Sequence, residues 1–359
     1  MVQGKGSNTL IIGVVVLVII VIAAIFLLMQ HPQSSSNITT SQPSQLSTVD
    51  LIISNNQNLG TGSDFQQMVT FNPSNYSRYE AQNLGNIRFY QGSTELYSWC
   101  ESGCTSSSQQ AVFWVKLPGG VPASSNVSAT IVFEPAGTNY DGIYAGESPE
   151  QSVTYAQYDN GANVFAYYSN FAGPSTPSGW SSQPNGGTIT INNGAYLAGG
   201  HAHLISDWPI SAGVVEMYLV SENTNNGNDW ILTSGNSTQN YNYIACGVGY
   251  QNQISGGGTQ GGYGLNIQNN GGGTPSIVAS ANPSPYFPTI IGVYGANLYA
   301  NYSAVANSSN GCVIPNSIFG STYLQMAAET GVGSANFRFD WVRIRAEPPN
   351  GVMPSVSLS

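Results

Sequence analysis

Few side chains in this chain of 359 residues can do acid–base or nucleophilic chemistry. Glycosidases built on β-sandwiches need two carboxylates about 5–9 Å apart, and present them as Glu-x-Asp-x-x-Glu on one strand. No such run occurs here. Glu216 and Glu222 stand alone, and Asp229 follows them. A Ser–His–Asp arrangement must draw on three histidines, and no Gly-x-Ser-x-Gly precedes a helical segment. His201 and His203 are two apart, so on a strand they face the same way, with Asp207 near. They are candidate metal ligands, weighed against two ordinary strand histidines. No catalytic residue and no cofactor is assigned; a structural calcium ion is left open.

Aromatic residues offer a second chemistry. Sugars stack their apolar faces on Trp and Tyr, while their hydroxyls take Asn, Asp and backbone groups. Trp230 with Asp229, and Tyr263 at the end of Ser255–Tyr263, are read in Asn/Gly-rich loops where glycine lets a ligand approach the backbone. On the last long strand, Phe339, Trp341 and Arg343 are expected to share one face. Ligand-binding candidates are therefore Trp230, Asp229, Tyr263, Trp341 and Arg343. For Phe339 and Trp341 an inter-sheet core position competes.

The elements holding these residues begin with Leu10–Met29, which contains no charged side chain. As a helix it spans about 30 Å, the hydrocarbon thickness of a bilayer. Lys5 lies before it and the next Lys or Arg is Arg78, so residues 1–9 are expected in the cytoplasm and the bulk outside. A signal peptide competes, although Gln30-His31-Pro32-Gln33 offers no small-x-small cleavage site. Lys5-Gly6 before the apolar run resembles an archaeal type IV prepilin start. Residues 30–48 read as a flexible polar stalk.

Charged residues are 7% of the chain, against about 25% in ordinary globular proteins. With 7 Lys and Arg against 17 Asp and Glu, the net charge is −10, which leaves no basic patch for nucleic acid. Hydrophobic residues at 41% suffice for a core. So few titratable groups lead one to expect stability that depends weakly on pH. Asn37, Asn75, Asn126, Asn236, Asn301 and Asn307 head Asn-x-Ser/Thr sequons, glycosylation candidates in an exported chain. Its four cysteines suit an oxidising compartment. Spacing favours disulfides Cys100–Cys104 and Cys246–Cys312, though four cysteines allow three connectivities.

Strand signals dominate from residue 49. Short segments rich in β-branched and aromatic residues recur every ten or so positions: 49–53, 65–71, 86–90, 95–99, 111–117 and 127–133. Residues 75–84 are the sole candidate for a helical turn. A second series comprises 213–220, 228–233, 241–250, 262–268, 289–294, 323–329 and 337–346, after a hairpin over 188–197 turning at Asn193-Gly194. The expected fold is all-β. An N-terminal transmembrane helix precedes two sandwiches, 49–150 and 151–349, the second a jelly roll, and a tail of residues 350–359 follows.

The first sandwich carries Phe65–Phe71, Gly85-Asn86-Ile87-Arg88-Phe89-Tyr90, Leu96-Tyr97-Ser98-Trp99-Cys100-Glu101 and Val112-Phe113-Trp114-Val115-Lys116-Leu117-Pro118. This run resembles the prokaryotic surface domain of unknown function catalogued as two-three-four-one, which commonly precedes a laminin-G-like domain. Cys100 and Cys104 depart from that family's pattern and suggest a local staple. Residues 156–346, ending in Phe339-Asp340-Trp341-Val342-Arg343-Ile344-Arg345, resemble a concanavalin A-like sandwich of the laminin-G or lectin type. Sandwich folds host lectins, glycosidases and adhesion modules alike.

The expectation drawn from the sequence is a single-pass cell-membrane protein facing outward, held in the bilayer by residues 10–29. Its expected role is non-enzymatic adhesion or glycan recognition, with polysaccharide or cell-surface glycan as partner and no nucleic acid. The alternatives are a self-associating subunit of a type IV pilus-like filament and a glycan-active hydrolase.

Overall fold

The computed structural model describes residues 48–209, 213–225, 228–235, 245–251, 263–268, 276–281, 289–294, 297–300, 302–307, 323–329 and 334–359. The expected membrane span and the stalk up to residue 47 lie outside them, and Thr48, expected to end the stalk, opens the first strand. No helix among the described residues is long and apolar enough to cross a membrane. Leu46–Ser359 form one compact unit.

The first half contributes β1 (Thr48–Asn55), β2 (Phe65–Phe71), β3 (Ile87–Gln91), β4 (Thr94–Leu96), β5 (Ser98–Ser102), β6 (Ala111–Leu117), β7 (Ser125–Phe133) and β8 (Ala145–Glu147). A one-turn helix, α1 (Gly161–Val164), leads into β9 (Tyr167–Ser169), β10 (Trp180–Gln183), β11 (Thr188–Ile191), β12 (Ala195–Ala198), β13 (His201–Pro209), β14 (Val214–Asn225), β15 (Asn228–Gly235) and β16 (Ala245–Gln251). Then follow β17 (Tyr263–Gln268), β18 (Ser276–Ala281), β19 (Thr289–Tyr294), β20 (Asn297–Ala300), β21 (Ser303–Asn307), β22 (Tyr323–Glu329), β23 (Ser334–Arg345) and β24 (Ser355–Leu358).

Four sheets result. One runs β24-β1-β7-β3-β4 and its partner β2-β6-β5-β8. Val49, Leu51 and Ile53 of β1 and Ile87 and Phe89 of β3 meet Phe113, Val115 and Leu117 of β6 in one core. The second sandwich pairs a sheet ordered β11-β12-β23-β14-β19-β20-β21, with β9 added beside β23, and a sheet ordered β10-β13-β22-β15-β16-β17-β18. The residues expected to be a tail return to the first sheet: β24 pairs antiparallel with β1, Leu358 opposite Leu51.

The β11–β12 hairpin turns where the sequence places it. Asn193 and Gly194 both have positive φ, 53° and 113°. A Cβ on Gly194 would come within 2.6 Å of Asp340 Oδ1, so only glycine fits. The helical turn is shorter than expected, a 3-10 segment over Pro73–Tyr76 capped by Asn72, whose side chain accepts from the Ser74 amide.

One face assignment is corrected. Strict alternation puts Phe339, Trp341 and Arg343 on one face, but the β14–β23 register shifts between Tyr218↔Trp341 and Leu219↔Phe339. This bulge at Asp340 reverses the faces. Phe339 packs against Phe171 at 5.1 Å between ring centroids, while Trp341 meets Trp99 of the first sandwich at 5.5 Å.

Candidate functional site

In most sandwiches a strand buries one face. β5 and β6 bury both, because their sheet is covered twice. Cys100 of β5 and Phe113 and Val115 of β6 enter the first core. Trp99, Glu101 and Trp114 take the opposite face, toward Trp341 and Arg343 of β23. The site is built across this junction.

Arg343 has no exposed surface. Its Nη1 lies 2.6 Å from Glu101 Oε2, and its Nε 2.7 Å from Glu216 Oε2 on the neighbouring strand β14. Arg345 grips the other oxygen of Glu216, with Nη2 at 2.8 Å. Two cations and two carboxylates thus neutralise one another out of water. The Arg343 guanidinium carbon sits 4.6 Å from the ring centroids of Trp114, Phe165 and Trp341, a cation–π cage. Burial alone would raise the Glu216 carboxyl, but the Arg345 and Arg343 guanidiniums outweigh it and hold Glu216 below the ordinary carboxylate range.

Tyr302 completes the cluster from the β20–β21 turn. Its hydroxyl donates to the Glu101 carboxylate and accepts from Arg343 Nη2 at 2.8 Å. Burial raises the phenol far above its usual value, so it stays protonated. Tyr302 has φ +66°, a left-handed conformation costly for a bulky side chain. Two-residue hairpin turns favour glycine at such a position. The turn holds tyrosine instead, and its hydroxyl is spent on the junction.

Beside this network lies a cavity of about 330 Å³, walled in part by Trp114, Glu216, Tyr302, Arg345, Met68 and Met353. The chain between β23 and β24 crosses it as a strap. Gln66 Oε1 accepts from the Ala346 amide at 2.7 Å, and Gln67 Nε2 donates to the Pro354 carbonyl at 2.9 Å. Arg345 Nη1 is buried without a hydrogen-bond partner.

The expected ligand contacts are not brought together here as such. Trp341 and Arg343 belong to the cluster but are interior, beyond a ligand's reach. Asp229 and Trp230 lie on β15, and Tyr263 opens β17, so all three sit on the strands expected over 228–233 and 262–268 and not in loops. Register places Asp229 opposite Tyr250, and Tyr250 opposite Tyr263. Their side chains, and that of His201, lie outside the description. His203 is buried, and the Asp207 carboxylate accepts from Ser181 Oγ. No group of three or more metal-ligating side chains occurs among the described residues. A disulfide joins Cys100 and Cys104; the Cys246–Cys312 pairing lies outside the described residues. Asn75 and Asn126 are exposed, while Asn37, Asn236, Asn301 and the side chain of Asn307 are not described.

Sequence reasoning missed Glu101, Trp114, Tyr302 and Arg345 as partners and left Glu216 isolated. One signal was present. Ala111–Leu117 is apolar at nearly every position, the mark of a strand covered on both faces.

The fold and site define an all-β protein of stacked sandwiches with a buried ion cluster beside a small cavity. No family model matches the chain. It is 30% identical over 347 residues to uncharacterized protein 562 of Sulfolobus islandicus rod-shaped virus 1, covering 85% of this chain. The chain spans 58% of that relative's length. Among solved structures it resembles a Bacillus licheniformis β-glucanase at 10% identity, covering 50% of this chain and 97% of that one, with a TM-score of 0.36. It also resembles the catalytic domain of an endo-1,3-β-glucanase (laminarinase) from Thermotoga petrophila at 10% identity, 50% and 96% coverage and a TM-score of 0.34. A β-1,3-1,4-glucanase (lichenase) from a mouse hindgut metagenome gives 11%, 50%, 98% and 0.36. At these scores no residue role is carried across. The structures matched are named as glucanases and not as adhesins, which runs against the expectation of a non-enzymatic adhesin.

Proposed function

We propose that the chain is a glycan-active hydrolase working at the cavity between its sandwiches. The observation that carries this reading is the cavity wall itself: an ionised carboxylate, Glu216, beside the aromatic rings of Trp114 and Tyr302. A sugar ring stacks on such aromatics. Positive charge grows at the anomeric carbon as a glycosidic bond breaks, and a fixed carboxylate stabilises it. Tyr302, its hydroxyl held by Glu101 and Arg343, fixes the aromatic part of that wall and the network behind Glu216. In this reading the second sandwich is a concanavalin A-like jelly roll.

The test is release of new reducing ends from laminarin, lichenan and a panel of bacterial and archaeal polysaccharides by the purified chain. Cleavage of at least one is expected. Glu216→Gln should abolish it, and Tyr302→Phe should slow it while circular dichroism stays native. An intact panel, or unchanged cleavage in both folded variants, would sink the reading.

The same proposal sets the enzyme outside the cell, held by residues 10–29. The Cys100–Cys104 bridge and the exposed sequons at Asn75 and Asn126 support that compartment. Protease treatment of intact cells should digest the chain from outside; full protection would overturn the placement.

A further inference from the structure

The cavity's walls divide by chemistry. Glu216, Arg345 and Tyr302 stand on the polar side, while Met68, Val214, Val352 and Met353 supply thioether and methyl groups around the rest. Both Glu216 oxygens are engaged by arginines, and the Tyr302 hydroxyl is committed to Glu101. The unspent donor is Arg345 Nη1, on a side chain 8% exposed. An unsubstituted hexose carries a hydroxyl at nearly every ring position. Against four aliphatic or thioether side chains most of these would lose their water without a new partner. A sugar in which a methyl replaces or caps a hydroxyl loses less and buries more.

Size and closure set a second condition. About 330 Å³ is near the lower bound for small-ligand sites. The strap pinned by Gln66 and Gln67 borders one side, and the volume suits the end of a glycan better than a long run of its rings.

We propose that the cavity receives the terminal sugar of a glycan, one bearing a methyl group as a 6-deoxyhexose or an N-acetylhexosamine. Its methyl lies against Met353 and Val352, its apolar face against Trp114, and its polar edge faces Arg345. This rests on the glycan-active reading above and names its substrate class.

The experiment is ligand-observed NMR titration of the full chain with L-fucose, N-acetylglucosamine and glucose. At least one methyl-bearing sugar should bind about fourfold or more tighter than glucose, the factor for burying one carbon group. Preference for fucose assigns the 6-deoxy form, and preference for N-acetylglucosamine the acetamide. Val352→Asn, at a half-exposed wall position, should erase the preference without unfolding the chain. Glucose binding equally well, no sugar binding, or a preference that survives Val352→Asn would overturn the inference. Polymer cleavage without any sugar preference defeats this inference and leaves the hydrolase reading. A sugar preference without cleavage of any polymer does the reverse.

Discussion

Arg343 of the second sandwich reaches Glu101 of the first across 2.6 Å, with neither side chain more than 2% exposed. Residues from the two halves of the chain are thus two sides of one contact. Trp99-Cys100-Glu101 and Phe113-Trp114 present Trp99, Glu101 and Trp114; Trp341-Val342-Arg343-Ile344-Arg345 presents Trp341, Arg343 and Arg345.

Removing the shared cation should therefore be severe. Arg343→Met leaves Glu101 and Glu216 buried with less compensating charge, which costs about 3–5 kcal/mol. Urea denaturation should show this as a lower midpoint. Adding Glu101→Gln alone to that variant should recover part of the loss, because Glu216 keeps its pair with Arg345 and no carboxylate is then left without a cation. If the single variant unfolds like the parent, the cluster contributes little to stability.

Tyr302 sets a hydroxyl against backbone strain. Tyr302→Phe keeps the positive φ but removes the donor to Glu101 and the acceptor for Arg343. A loss of about 1–3 kcal/mol is expected. Tyr302→Gly relieves the strain yet opens the cavity wall, and should also be less stable than the parent. A Tyr302→Gly chain more stable than wild type would show that strain outweighs the hydroxyl's contacts.

Legibility in the sequence followed the range of the forces involved. Phe65–Phe71, Ala111–Leu117, Thr289–Tyr294 and Tyr323–Glu329 are strands with the ends expected, because alternation and flanking turn residues are local signals. β24 was read as tail, since Ser355–Leu358 alternates too briefly to announce a strand, and its pairing with Leu51–Ser54 is decided some 300 residues away. The bulge at Asp340 has no local signature, so face assignment by counting failed just where the site begins. Glu216 looked isolated because Arg343, which joins it to Glu101, is distant from both in sequence.

The Cys100–Cys104 disulfide closes a loop of five residues at the end of β5. By the loop-entropy account such a loop contributes about 2 kcal/mol. Replacing both cysteines with alanine should lower the unfolding free energy from urea denaturation by that amount, as should reduction under native conditions. No change on reduction would mean that the first core holds this strand end unaided.

Stability should vary with pH more than the sparse charge implies, and in the direction of acid. Glu80 is buried, with neither carboxyl oxygen hydrogen-bonded, and burial pushes its pKa up to about 8. Burial likewise raises Glu150 to about 7, although its own backbone amide and Ser148 Oγ pull it down. Both start from an ordinary value of 4.5. Below that value these two groups are neutral whether the chain is folded or not, so neither penalises folding. Above it the unfolded chain releases protons that the folded chain keeps, and stability falls as pH rises toward 7 and 8. Glu216 acts oppositely: held low by two arginines, it withdraws stability only as pH drops below the ordinary carboxylate range. The melting temperature should therefore peak between about pH 4 and 5 and fall by several degrees by pH 8. Glu80→Gln should flatten the upper limb, because glutamine carries no proton to lose. A melting temperature level from pH 5 to 8, or a slope unchanged in Glu80→Gln, would show that Glu80 reaches water in solution and that the low charge content governs after all.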